Sequence, residues 1–200
     1  MTLKNQSGFT LIELLIAMGL SLFVLASIGG VFRAQTHTIK GQESRMEAHE
    51  YALTVIDVMI REIRNAGYFP GLKCDLTGGI VSATATSISF QYDRDGVGGC
   101  SGDLEVITFA FAGSNVTRNP LTTNQVLTDG NATNLQFTYY PQQTSGTAAT
   151  PFSSPVASAN FSAIGKITIS LTVQPKSTDS QFTGSVVTMS ATADLRNHGL

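Results

Sequence analysis

An α+β protein is predicted, a long N-terminal helix packed on a mainly antiparallel β-sheet head. Three observations point there. No proline interrupts Met1 to Tyr68. Within that stretch the residues from Phe9 to Phe32 are apolar with Glu13 as the sole ionisable side chain, and those from Arg33 to Gly67 turn amphipathic with helical spacing. After Pro70 the period changes to a strict alternation of apolar and polar residues.

The helix is the first element. At about 1.5 Å per residue the Phe9 to Phe32 run can cross a hydrocarbon layer of ~30 Å. A carboxylate such as Glu13 is costly there, which gives it a functional reading. Lys4 is the lone charge ahead of the run and holds that end on the cytoplasmic side by the positive-inside rule, placing the remainder outside. Gly29-Gly30 is a weak point, because each glycine disfavours helix by about 1 kcal/mol relative to alanine. Beyond it Leu53, Ile56, Ile60, Ile63 and Gly67 recur at helical spacing beside Ala52, Val55, Met59 and Ala66. This face is expected to cover a sheet. Glu43, Arg45, Glu47, Glu50, Asp57, Arg61, Glu62 and Arg64 are expected on the solvated side. Asn65-Ala66-Gly67 with Pro70 behind it supplies a C-cap and a stop.

Five stretches then alternate: Ile88 to Tyr92, Ile107 to Phe111, Leu135 to Tyr139, Ile167 to Val173 and Val187 to Ala191. They predict an antiparallel sheet with one wet face, its apolar face under the Leu53 to Gly67 helix. Asp93 to Gly96, Asn119-Pro120, Asp129-Gly130 and Ser145-Gly146 are turn signals. Gln142 to Ser162 reads as a long exposed loop. The division of the chain is a leader at 1–8, a membrane or filament-core helix at 9–32, an amphipathic helix at 33–67 and a β-rich head at 68–200.

Length and charge bound the function. Two hundred residues suffice for one head besides the helix, and a net charge of −2 offers no basic surface, so no nucleic-acid partner is predicted. Catalytic spacings are missing: no nucleophile elbow, phosphate loop or His-Glu-x-x-His occurs. The chain is read as a non-enzyme without cofactor, and no metal is assigned. Asp93 and Asp95, with Asp103 and Glu105, form a weak calcium candidate, because only Gly96 otherwise fits the loop chemistry. Cys74 and Cys100 are an even pair on the oxidising side of the anchor and read as a disulfide.

Gly8-Phe9-Thr10-Leu11-Ile12-Glu13 resembles the processing site of type IV prepilins and pseudopilins. That resemblance implies cleavage after Gly8 by a prepilin peptidase, N-methylation of the new terminus Phe9, and a role for Glu13 in assembly. Arg61 to Phe69 and Asp194 to Asn197 are similar to segments of PilW-like minor pilins. The implied role is a minor pilin that initiates type IV pilus assembly near the tip, with a J-type pseudopilin of type II secretion as the alternative and an adhesion or DNA-uptake module as a third. Implied partners are other minor and major pilins, the prepilin peptidase and the inner-membrane assembly platform. The implied place is the inner membrane with the head in the periplasm, and then the pilus at the cell surface.

Overall fold

A computed structural model of the chain describes residues 8–69, 79–94, 96, 106–120, 123–142, 149–176 and 186–196. Helix α1 runs from Leu11 to Ile63. It passes through Gly29-Gly30 without a break, so the expected weak point is not a kink. Propagation explains this, since two poor helix formers with many helical residues on either side do not repay the cost of a second nucleation. The chain falls into two compact units, Met1–Glu43 and Ser44–Leu200.

In the first unit the described residues from Leu11 onward are helix, and the large apolar side chains from Leu11 to Phe32 are all more than half exposed. An 18-residue window in this helix is apolar enough, and the helix long enough, to cross a membrane. Its hydroxyls are satisfied locally, Ser21 Oγ donating to Ala17 O at 2.7 Å and Ser27 Oγ to Phe23 O at 2.9 Å, which removes the penalty of bare polar groups in an apolar medium.

In the second unit α1 buries Ala48, Ala52, Val55, Ile56, Met59 and Ile63, with Ala66 just beyond its end. Steps of three and four keep these on one face. Leu53, expected to lead that face, is 43% exposed, while Ala52 beside it is fully buried. Ala52, Val55, Ile56, Met59, Ile63 and Ala66 of the expected face are buried, and Leu53 falls at its margin. The last turn tightens, with Asn65 N–H donating to Glu62 O and Ala66 N–H to Ile63 O, both 3.0 Å. Gly67 then takes φ 75°, as the Asn-Ala-Gly cap predicts, and donates to Gln91 O at 2.9 Å. Gly79 lies so close that a Cβ on it would come within 2.0 Å of Gly67 N.

The strands are β1 (Ile80–Ala83), β2 (Ser87–Gln91), β3 (Val106–Ala112), β4 (Asn115–Pro120), β5 (Gln125–Val126), β6 (Ala132–Pro141), β7 (Ile164–Val173) and β8 (Val187–Asp194). The five alternating stretches are β2, β3, β6, β7 and β8. Two antiparallel sheets form where one was expected, ordered β1-β2-β3-β4-β5 and β6-β7-β8. The break falls at the Asp129-Gly130 bend, where Gly130 has φ 70°. Backbone bonds join the sheets: Phe137 N–H donates to Ala85 O at 2.7 Å and Ala132 N–H to Ser114 O at 3.1 Å. Ile88, Phe90, Ile107 and Phe109 of the first sheet and Leu135, Ile167, Ile169 and Leu171 of the second are fully buried. These apolar faces and the helix stripe form the core.

Asn119-Pro120 is not a turn. It ends β4, with Pro120 opposite Ile107 at a strand terminus where a missing N–H is tolerated. Glu62 is not on the solvated face either. Arg118 of β4 points inward and is only 7% exposed, and its Nε donates to both Glu62 carboxylate oxygens at 2.9 Å while Nη2 lies 2.7 Å from Oε1. Gln125 Oε1 accepts from Nη1 at 3.0 Å, so helix, β4 and β5 are tied at one guanidinium. Part of the expected exposed loop is docked as well. Between residues 149 and 163, Val156 and Phe161 are buried, Val156 N–H donates to Ala83 O, and a 3₁₀ helix spans Ser158–Ala163.

Candidate functional site

The residues singled out near the start of the chain meet at the beginning of α1. Gly8 and Phe9 precede the helix in non-helical backbone, and Phe9 is 90% exposed. Thr10 is the N-cap, its carbonyl accepting the Leu14 N–H at 3.3 Å. Glu13 turns back upon it. Its Oε2 accepts both Thr10 N–H and Thr10 Oγ–H at 2.9 Å, while Glu13 N–H approaches Thr10 Oγ1 at 3.4 Å. This is a capping box, in which threonine and glutamate three residues apart satisfy each other's orphan donors. The expectation for Glu13 concerned assembly alone. Thr10 was missed, though Thr-x-x-Glu ahead of an apolar run is the signal for it.

Chemically the arrangement does two things. The carboxylate is fixed at the helix N-terminus, where the helix dipole favours negative charge. It also sits four residues from Phe9, whose amine becomes a cation if the Gly8–Phe9 bond is cut. One side chain thus has an intramolecular partner in the single chain and is suited to a cationic one.

Gly8 has no positive φ, and a Cβ built on it meets nothing within 4 Å. The fold of this chain therefore places no demand for glycine at position 8. Gly79 is the contrast, a glycine that the fold cannot replace.

Asp93 Oδ1 accepts the Gly96 N–H at 2.7 Å, so its carboxylate closes a local turn. Asp95, Asp103 and Glu105 lie outside the described residues, as do Cys74 and Cys100. Among the described residues no group of three or more His, Cys, Asp or Glu is placed to hold a metal ion.

Residues 3–29, which include Gly8, Phe9, Thr10 and Glu13, match the family model for the prokaryotic N-terminal methylation motif. Neither the curated proteins nor the solved structures contain a significant match to the chain. The motif, at the head of an apolar helix joined to an α+β unit, indicates a protein of the type IV pilin or pseudopilin type.

Proposed function

We propose that this chain is a minor pilin of a bacterial type IV pilus, of the PilW-like kind, which helps to initiate the filament and stays near its tip. The observation that carries the reading is the methylation motif on a helix whose large apolar side chains from Leu11 to Phe32 are all more than half exposed. Held by that helix in the inner membrane with its head in the periplasm, the precursor meets the prepilin peptidase at Gly8. The open space around Gly8 supports an outside reason for the glycine, since an enzyme that closes on the backbone needs the absence of a side chain. Cleavage leaves the Phe9 amine, which the same enzyme methylates. In a filament the Glu13 carboxylate exchanges Thr10 for the amine of a neighbouring subunit, an ion pair formed where water is scarce. Other minor and major pilins and the inner-membrane assembly platform are the partners.

Two substitutions separate this role from capping. Glutamine at position 13 still completes a capping box but carries no charge. Glu13→Gln and Glu13→Ala are therefore both expected to be inserted and cleaved normally yet missing from sheared filaments. Entry of Glu13→Gln at wild-type level, with Glu13→Ala excluded, would mean that capping is the whole of the role. Cells lacking the chain should lose surface pili, and intact piliation with failed protein secretion would overturn the pilus assignment.

A further inference from the structure

The edges of the two sheets are not alike. Strand β1 is interrupted by a register shift between Ile80 and Ser82, and β5 has only two residues. The outer edge of β6 is already engaged, Phe137 donating to Ala85 and Tyr139 O accepting from Phe152. Strand β8 is different. It ends its sheet over eight residues, Val187–Asp194, with continuous pairing to β7 and no partner on its other side among the described residues. It has no proline, lysine, arginine or bulge, and no charge before Asp194. Among the described residues none of the usual protections of an exposed edge is present.

The hydrogen-bond phase of that edge is fixed. Leu195 N–H donates to Gly165 O at 3.0 Å, so the odd-numbered residues of β8 turn their backbone groups toward β7. Thr188, Ser190 and Thr192 turn theirs to the open side. The same three residues are exposed and carry hydroxyl side chains in rows with Thr172, Ser170 and Thr168 of β7, with side-chain hydrogen bonds at 3.0 Å for Thr172–Thr188 and 3.3 Å for Thr168–Thr192.

We infer that β8 is a self-pairing edge, on which a second copy of this chain docks antiparallel about a two-fold axis through Ser190. The strand reads the same both ways on its polar face, Thr-x-Ser-x-Thr. In that register Ser190 faces Ser190 of the other copy and Thr188 faces Thr192, so each hydroxyl row continues across the junction. On the inner face Met189 meets Ala191 and Val187 meets Ala193, large against small in each pair. The outward N–H and C=O groups of Thr188, Ser190 and Thr192 become the hydrogen-bonded pairs of a six-stranded sheet. A symmetric pair of this kind is closed and leaves no further edge to propagate.

Sedimentation equilibrium of the full chain in density-matched detergent tests the inference. The wild type is expected to be dimeric and Ser190→Lys monomeric, because two ammonium groups then face each other on the axis. Gln136→Lys, in the same row at the far edge of the sheet, should remain dimeric. Mixing Ser190→Lys with Ser190→Glu should restore a dimer, a result that misfolding cannot produce. A monomeric wild type, or a dimer indifferent to Ser190→Lys, would overturn the proposal, as would failure of the mixture to associate.

Discussion

The Arg118–Glu62 pair yields the most quantitative prediction. The Arg118 side chain is 9% exposed and that of Glu62 19%. In Glu62→Ala, Nε and Nη2 lose every contact described here and only Nη1 keeps an acceptor, on Gln125. Breaking a buried pair by removing one member costs about 3–5 kcal/mol, and the partial access of water to Glu62 sets the expectation at the lower end, about 3 kcal/mol. For a domain of this size each kcal/mol lowers Tm by about 2–4 °C, so a fall of about 6–12 °C is expected. The assay is a circular-dichroism melt of a soluble fragment starting at Arg33, from which the long apolar run is absent. Removing both charges is a different perturbation. Glu62→Leu with Arg118→Met leaves no orphaned ion and should recover most of the lost Tm. A single variant that melts within about 2 °C of wild type, or a double variant no better than the single, would refute the claim that desolvated charge holds the helix end to β4.

Three further outcomes are expected. Burial pushes the Tyr139 hydroxyl well above its ordinary range, against a smaller opposing effect of its bond to Thr84 O. Its contribution is then complete below the unfolded value near pH 10 and is lost as pH rises beyond it, so Tm should fall more steeply above about pH 10 in the wild type than in Tyr139→Phe; equal slopes would sink the idea. Cys74 and Cys100, an even pair on the expected oxidising side of the anchor, are expected to be bridged. Closing a loop of about 26 residues is worth about 3.5 kcal/mol in the chain-entropy model, and thiol labelling of the unreduced, denatured chain should find no free thiol. Gly8→Leu should block processing without altering the melt of the protein, and normal maturation of that variant would remove the case for a peptidase contact at this residue.

Legibility in the sequence followed the physics of each element. The five alternating stretches carry their own signal because every inward position holds an apolar residue. Strand β4 carries none, since its inward positions are Val116, Arg118 and Pro120, and Arg118 becomes buriable only because Glu62 is delivered from a helix fifty-six residues away. No local pattern reports such a pairing. The division into two sheets was likewise hidden, because alternation fixes which face is buried but not which strand is the neighbour. The helix face is legible from its spacing, and only its margin is not: Leu53 is 43% exposed although hydrophobicity ranks it above the fully buried Ala52. The site itself was legible as far as Gly8, Phe9 and Glu13. Thr10 is equally visible as the first member of a Thr-x-x-Glu capping box, a local signal independent of any role of Glu13 in assembly.

What the fold leaves unexplained is concentrated in one place. In the unit from Ser44 onward several polar groups are matched inside the chain: Arg118 with Glu62, Tyr51 Oη with Leu127 O, Asp93 with the Gly96 amide, and Lys176 with Asp129. Gly79 is demanded there by a backbone contact. At the other end Gly8, Gly19, Gly29 and Gly30 all face open space, and Phe9 and a ladder of leucines and isoleucines are exposed. Local choices that a chain's own fold does not use are expected where a partner uses them. Membrane lipid accounts for the apolar side chains, but lipid has no need of glycine before phenylalanine. On the proposed reading the glycine serves a protein that approaches the backbone closely, whereas the Glu13 carboxylate already has Thr10 as its partner in the single chain. A partner at Gly8 and a charge role for Glu13 beyond its helix cap are thus the two separate requirements of the proposal, and Gly8→Leu and Glu13→Gln test them one at a time.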